Sequence, residues 1–115
     1  MLCQIKMQWL LVCILLIIYL FYCLTMPTIH LLIKGKVQGV FYRATAKDMA
    51  QALELKGWVK NTRDGHVELI VTGSEKALQQ FIEWCRKGPD KAIVHSINVT
   101  SIKDEKFEDF RVIRG

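Results

Sequence analysis

The sequence predicts an α+β fold, in which an antiparallel β-sheet carries two helices on one face and ends in a short extra strand. Three observations predict it. Five short segments are rich in apolar and β-branched residues, two others repeat apolar residues at helical spacing, and glycines mark the boundaries between segments. Their order is β-α-β-β-α-β followed by the extra strand. This order is the split-βαβ, or ferredoxin-like, plan.

The first strand and the first helix are expected directly after Pro27. Residues 28–36 carry apolar side chains at every second position, as a half-buried strand does. Residues 43–55 repeat apolar side chains at helical spacing, and Gly57 is expected to end this helix. The alternating strand residues are Ile29, Leu31 and Ile33, and the helix residues are Ala46, Met49, Ala50 and Leu53.

The other elements follow from a hairpin signal and from helix-capping residues. Residues 58–62 and 66–72 are β-rich runs joined through an Asp-Gly pair, which favours a tight turn. Ser74 is a suitable N-cap for a second helix, and Gly88-Pro89 is expected to end it. This helix is expected to bury Leu78, Phe81, Ile82 and Cys85, and the last strands are expected over residues 93–102 and 107–113.

Composition divides the 115 residues into a hydrophobic leader, residues 1–25, and one globular domain, residues 26–115. The leader has 21 apolar residues out of 25, whereas the domain has 38 out of 90, or 42%, which is ordinary for a globular domain. A second domain of any size is excluded, because domains usually span about 100–200 residues.

Three interpretations of the leader stay open. Its 16 consecutive apolar residues, from Trp9 to Leu24, fall just short of the about 17 that a spanning helix needs. We favour an upstream extension, with synthesis starting at Met26. The second interpretation is a membrane anchor over residues 7–24, with the domain in the cytoplasm because more basic residues follow the run than precede it. The third is a signal peptide, for which the end of the leader is a poor cleavage site.

Charge and cysteine content constrain the partners and the compartment. The net charge is +5, and the domain alone carries +4, because Lys6 is the leader's only charged residue. A basic domain favours anionic partners in general, such as phosphate compounds, nucleic acid or acidic membranes. Only Cys85 lies in the domain, which therefore has no disulfide framework and is expected in the reducing cytoplasm. So small a domain is expected to be a monomer.

Most catalytic motifs are missing from the sequence. The three histidines are scattered, with no Cys or His at metal-ligand spacing, so neither a metal nor a cofactor is expected. Residues 35–39 match neither a Walker loop nor a dinucleotide-binding fingerprint. Cys85 lies on the apolar stripe of the second helix, which favours a place in the core over a nucleophilic role.

Residues 35–43, Gly-Lys-Val-Gln-Gly-Val-Phe-Tyr-Arg, join the first strand to the first helix. Glycines in such a loop allow successive N–H groups to point inward as an anion-binding nest. The start of the helix adds unsatisfied amides and a positive dipole end. Arg43 at the junction can form two hydrogen bonds with phosphate oxygens. On these cues alone, a phosphate site and an ordinary loop with a solvated arginine both stay open.

A second segment, residues 57–68, carries Gly-Trp-Val-Lys-Asn-Thr-Arg-Asp-Gly-His-Val-Glu and is followed by Gly73. By itself it is a hairpin in which Asn61 serves the turn. Together with residues 35–43, however, it closely resembles the acylphosphatase family, over essentially all of residues 28–115. One departure is Tyr42, where the family usually has Phe or Met before the arginine; this side chain is expected to pack inward.

The resemblance implies an enzyme that hydrolyses carboxyl-phosphate anhydrides to a carboxylate and inorganic phosphate, without a metal or a cofactor. Arg43 is then expected to bind the phosphoryl oxygens, and Asn61 to position the attacking water. The small-molecule partners are acyl phosphates and inorganic phosphate. The phosphate-binding backbone N–H groups implied are those of Gln38, Gly39, Val40, Phe41, Tyr42 and Arg43.

Two other function classes stay open beside the enzyme. The same fold hosts RNA-binding modules that stack bases on aromatic residues of the central strands. The strands over 28–36 and 66–72 offer no Phe, Tyr or Trp, so no nucleic-acid partner is expected. A catalytically silent ligand-sensing or maturation domain is the remaining class. Phosphate release from a small acyl phosphate, with and without a change at Arg43, distinguishes the enzyme from a binder.

Overall fold

The computed structural model describes the backbone of residues 2–24 and 26–114, and the side chains of residues 8–20 and 26–114. An N-terminal helix precedes a domain of five strands and two helices. In chain order the elements are α1 (Leu2–Leu24), β1 (Thr28–Lys36), α2 (Tyr42–Ala52), β2 (Lys56–Asn61), β3 (Val67–Thr72), α3 (Glu75–Lys87), β4 (Ile93–Ile102) and β5 (Phe110–Ile113).

The five strands form one sheet in the order β4-β1-β3-β2-β5. The first four pair antiparallel, with Leu31 of β1 opposite Leu69 of β3 and opposite Val99 of β4. This arrangement confirms the α+β, ferredoxin-like plan predicted from the order of the elements.

The extra strand β5 pairs parallel with β2, so the complete sheet is mixed. Its direction follows from the topology. Because β4 is antiparallel to β1, it ends at the edge of the sheet where β1 begins. The chain then passes along this edge and enters β5 in the direction of β2, without crossing either face. The sequence predicted the strand but not its partner or its direction.

The hydrophobic core lies between one face of the sheet and the helices α2 and α3. Alternate residues of the two central strands are fully buried on this face, as the period of two requires. Phe81 of α3 contributes one of the largest buried side chains, edge-on to Phe110 of β5 and stacked with Trp84. The buried strand residues of β1 and β3 are Ile29, Leu31, Ile33, Val67, Leu69 and Val71.

Helix α3 begins and ends at the residues expected from the sequence. The Ser74 side chain accepts a hydrogen bond from the Ala77 N–H at 3.2 Å, as an N-cap does. Gly88 ends the helix with φ 67°, and a Cβ there would lie 2.7 Å from the Tyr42 ring. Glycine is therefore required at this position for both its conformation and its size.

Helix α2 ends earlier than expected. It stops at Ala52, and the chain turns through Glu54, whose φ is 58°. The expectation that Gly57 ends the helix is therefore wrong. Gly57 lies inside β2, where a Cβ would come within 1.9 Å of the Ile70 carbonyl oxygen. The sequence contains a glycine here because two strands approach closely. From the sequence alone, a glycine required for this reason looks the same as a glycine that ends a helix.

The edge of the sheet opposite the loop over residues 37–41 is held by hydroxyl groups. The hydroxyls of Thr28 and Thr72 lie 2.6 Å apart across β1 and β3. The Glu105 N–H donates to the Thr28 hydroxyl at 2.9 Å, and the Thr72 hydroxyl donates to the Glu105 carbonyl at 3.2 Å. These bonds attach the connection between β4 and β5 to the central strands.

Helix α1 includes residues 7–24, the segment that one of the three interpretations takes as a membrane anchor. In the portion of the chain that the structure describes, none of the helices has the combined length and hydropathy needed to cross a membrane.

Candidate active site

The topology places both sequence segments of interest at one edge of the sheet. Strands β1 and β2 run in the same direction, because each is antiparallel to β3, which lies between them. Their carboxyl ends therefore meet at the same edge. The loop over residues 37–41 leaves β1 there, and β2 ends there at Asn61. Since β5 is parallel to β2, its end at Ile113 lies at this edge as well.

The loop between β1 and α2 leaves backbone N–H groups without internal partners. Gly39 has φ 74°, and Phe41 has φ 64°, a left-handed conformation unusual for a non-glycine residue. Phe41 is the N-cap of α2 and provides no side-chain cap. Within residues 26–114, the N–H groups of residues 38–41 donate to no backbone carbonyl. This arrangement is typical of an anion-binding loop.

Arg43 and Asn61 line the same cavity, although they are 18 positions apart in the sequence. Its volume is about 310 Å³. Arg43 stands in the first turn of α2, which contains no acidic residue. The lining contains two arginines and no carboxylate among the described residues, so its charge suits an anion. The other lining residues are Val37, Gly39, Phe41, Tyr42, Ala44, Val112 and Arg114.

The side chain of Asn61 has an unused hydrogen-bonding group. Asn61 is the last residue of β2, opposite Val67 of β3, and so faces the helices. Its Oδ1 atom is buried and has no hydrogen-bond partner among the described residues. Buried polar atoms are nearly always paired, with protein or with water. This oxygen is therefore a candidate for holding a water molecule or a ligand.

Tyr42 packs inward, as expected from the sequence. Its side chain is 1% exposed, and its hydroxyl donates to the Cys85 carbonyl at 2.7 Å. Its ring contacts Trp84 at 5.4 Å between centroids. Tyr42 thus joins the first turn of α2 to the last turn of α3, directly beside Arg43.

The sequence predicted a backbone role for Gln38 but not a role for its side chain. The Nε2 atom donates to the carbonyl oxygens of Thr62 and His66, at 2.8 Å each. It thereby bridges the loop after β1 and the hairpin after β2. No pattern in the sequence reveals this contact. The sequence also did not predict that Arg114 lines the site, because the parallel direction of β5 decides where this part of the chain lies.

The hairpin that follows Asn61 is internally hydrogen-bonded. The Thr62 hydroxyl accepts from the His66 N–H at 3.0 Å and donates to the Asp64 carboxylate. The bond from Thr62 lowers the pKa of the Asp64 carboxyl. Gly65, with φ 91°, completes the turn. The Asp-Gly hairpin predicted from the sequence is therefore present, and its hydrogen bonds stabilise the chain just beyond Asn61.

The opposite face of the sheet carries a separate row of charges. Glu68 of β3 bonds His30 of β1 at 2.8 Å and pairs with Lys60 of β2 at 3.3 Å. The hydrogen bond with His30 lowers the pKa of Glu68 most, and the pair with Lys60 lowers this pKa further. These alternate positions lie on the face of the sheet away from the helices, and none of the three side chains lines the cavity of Arg43.

The described His, Cys, Asp and Glu side chains suggest neither a metal site nor a nucleophilic thiol. No three of those side chains are grouped as a metal ion would require. Cys85 is fully buried, and burial raises its pKa to about 12. The thiol is therefore protonated and inert at neutral pH.

Comparisons with known proteins show the family and the fold of the chain. The acylphosphatase family model matches residues 29–112. A curated acylphosphatase from Marinobacter nauticus is 43% identical over 83 residues, which are 71% of this chain and 90% of the relative. The solved acylphosphatase from Coxiella burnetii has a TM-score of 0.75 and 41% identity, over 76% of this chain and 93% of that chain.

A second solved structure, the acylphosphatase from Bacillus subtilis, also superimposes on the domain. It has a TM-score of 0.75 and 34% identity, over 78% of this chain and 100% of that chain. The resemblance predicted from residues 35–43 and 57–68 is confirmed. The chain belongs to the acylphosphatase family.

Proposed function

We propose that the protein is an acylphosphatase whose reaction takes place in the cavity lined by Arg43 and Asn61. The observation that carries this proposal is the convergence of three features: an arginine at a helix start, a loop of unpartnered N–H groups, and a buried amide oxygen without a partner. A phosphoryl group needs the first two features, and an attacking water needs the third.

The phosphoryl group is bound by Arg43 and by the loop. The guanidinium of Arg43 donates two hydrogen bonds to phosphoryl oxygens, and the backbone N–H groups of residues 38–43 donate the others. The dipole of α2 adds positive potential, and its first turn contains no acidic residue that would offset it. Phosphoryl transfer mainly requires this kind of positioning and charge stabilisation.

Asn61 positions the water. Its Oδ1 accepts a hydrogen bond from the water, whose oxygen attacks phosphorus while the bond between phosphorus and the acyl oxygen breaks. The electron pair leaves with the carboxylate. Because an amide cannot take a proton at neutral pH, the water's proton passes to a phosphoryl oxygen of the substrate. The products are one carboxylate and one inorganic phosphate.

The leaving group explains why so few residues are needed. The parent carboxylic acid has a pKa of about 4, so the carboxylate departs without a general acid. The proposed reaction is independent of metals and cofactors, and each step uses only the groups named above. Activity is therefore expected to persist in a chelator such as EDTA, and its loss there would point to a metal.

The remaining parts of the proposal concern the partners and the compartment. The substrates are small acyl phosphates, and neither a nucleic acid nor a second copy of the chain is needed, so the enzyme is proposed to act as a monomer. The cytoplasm suits the buried, reduced thiol of Cys85. Membrane contact would come only through the leader.

The test is phosphate release from acetyl phosphate by the wild type and by Arg43→Lys. A lysine cannot reproduce the planar fork of the guanidinium. Loss of such a preorganised donor typically lowers the rate by about 100- to 1000-fold. Arg86→Lys, on the exposed surface of α3, is the matched control and should keep wild-type activity. Circular dichroism checks the fold, and near wild-type turnover by Arg43→Lys would remove Arg43 from the assignment.

A further inference from the structure

Gln38 links two parts of the site that lie at the same edge of the sheet. It lies in the loop between β1 and α2, five positions before Arg43. Its side chain reaches the hairpin between β2 and β3, where Nε2 donates to two carbonyl oxygens at 2.8 Å. Since both partners can only accept, the nitrogen of the amide must face them, which settles the orientation of the side chain.

The two acceptors are the residues that flank the tight turn of the hairpin. The Thr62 N–H donates to the His66 carbonyl at 2.9 Å, and the Gly65 N–H donates to the Thr62 carbonyl at 3.3 Å. Gln38 therefore adds a second donor to each carbonyl that the turn already uses. Together with the Thr62 hydroxyl bonds, this makes the hairpin end one hydrogen-bonded unit attached to the loop.

This attachment lies between the segments that carry Asn61 and Arg43. Asn61 is the last residue of β2 and directly precedes Thr62, so its side chain follows any movement of the hairpin end. Arg43 lies in the first turn of α2, and the loop that contains Gln38 leads directly into this turn. The sheet brings both segments to one edge, and the two hydrogen bonds of Gln38 connect the loop to the hairpin directly.

We propose that Gln38 is a positioning residue, whose side-chain amide holds Asn61 and its water at the distance from the phosphate loop that in-line attack requires. This inference rests on the proposed function. It assigns no contact with substrate to the side chain. A misplacement of about 1 Å can lower a rate by about 100-fold, so two hydrogen bonds at this junction are enough to matter.

The first experiment is the variant Gln38→Met, which keeps the length of the side chain, adds no charge and removes both donors. Its backbone N–H remains available to phosphate. The expected result is a fall in kcat of about 10- to 100-fold, with the inhibition constant of inorganic phosphate changed by less than about threefold. Gln80→Met, on the exposed surface of α3, is the matched control for the substitution itself.

The decisive measurement is a double-mutant cycle with Asn61→Ala. If Gln38 acts by positioning Asn61, then adding Gln38→Met to Asn61→Ala should lower kcat by less than about twofold further, because interacting residues are not additive. Independent, multiplicative losses would overturn the inference. So would a collapse of phosphate binding in Gln38→Met with kcat retained, which would assign the side chain to the phosphate loop itself.

A measurement on the wild type keeps the inference testable if Gln38→Met does not fold. Both hydrogens of the Gln38 side-chain amide should exchange with solvent more slowly than those of Gln80. Equal exchange would contradict the bridge. The same series separates this inference from the proposed function. An inactive wild type, or an unaffected Asn61→Ala variant, overturns the function, whereas an active wild type with a fully active Gln38→Met overturns only the role of Gln38.

Discussion

The hydroxyl of Tyr42 donates a hydrogen bond to the backbone carbonyl of Cys85, with 2.7 Å between the two oxygens. In a continuing helix this carbonyl would accept from residue 89, but that residue is Pro89, which has no N–H. Tyr42 supplies the missing donor. Burial raises the pKa of the Tyr42 phenol, so the hydroxyl keeps its proton throughout the physiological range.

The first prediction concerns this bond. Tyr42→Phe keeps the ring that packs against Trp84 but leaves the buried carbonyl of Cys85 without a donor. An unsatisfied buried group of this kind costs about 1–3 kcal/mol. The free energy of unfolding from urea titration is therefore expected to fall by that amount, with an unchanged m-value. An unaffected midpoint would mean that the carbonyl finds another donor, such as water.

The second prediction divides the roles of Asn61 and Arg43. Asn61→Ala should lower kcat by about 100-fold, because the water loses the acceptor that orients it. Competitive inhibition by inorganic phosphate should change little, since Arg43 and the loop remain. If phosphate affinity collapses while turnover survives, the two roles are assigned the wrong way round.

The third prediction is a pH dependence from Glu68. Its pKa is lowered in the folded state, mainly by the bond with His30. A carboxyl of this kind stabilises the fold above its unfolded pKa, and the contribution is lost as the pH falls through its folded pKa. Glu68→Gln should therefore be less stable than the wild type at pH 6, and the difference should shrink as the pH falls towards 3, as measured by urea unfolding.

The expected size of this effect is modest, because the Glu68 side chain is 26% exposed. Partly exposed pairs contribute at most about 1 kcal/mol. Glu83→Gln, whose partner Arg86 lies on the exposed surface of α3, is the matched control and should change stability little at either pH. A difference between Glu68→Gln and the wild type that persists unchanged at pH 3 would show that its cause is packing, not charge.

The fourth prediction concerns the leader. A shortened chain that begins at Met26 should fold and hydrolyse acetyl phosphate at the full rate, because the sheet, both covering helices and the cavity all lie within residues 28–114. Cys85 is then the only cysteine, and its raised pKa should make alkylation slow until the chain is unfolded.

Contacts between α1 and the domain would lead to the opposite outcome for the shortened chain. Ile17 and Ile18 line a mainly apolar groove together with Ile29 of β1 and Leu78 of α3. If this groove needs α1, the shortened chain should aggregate or lose stability, and residues 1–25 would then be part of the folded domain. Circular dichroism and the alkylation rate of Cys85 distinguish the two outcomes.

Local patterns predicted the elements well where a residue's neighbours in the chain decide its structure. Ser74 and Gly88 bound α3 as expected, because a cap depends on the few residues around it. Gly57 misled the prediction for the opposite reason. Its small size is required by Ile70 on another strand, and nothing adjacent to it in the sequence distinguishes this requirement from a helix stop.

The sequence by itself determined the order of the elements, the core side of β1, the enzyme family and the two segments that carry the candidate site. These follow from periodicity, from turn residues and from family resemblance. Only the tertiary structure decided that β5 runs parallel to β2, that Arg114 lines the cavity, and that Gln38 bridges the loop and the hairpin. The physical reason is that strand direction and side-chain contacts arise between segments far apart in the chain, where packing geometry chooses the partners.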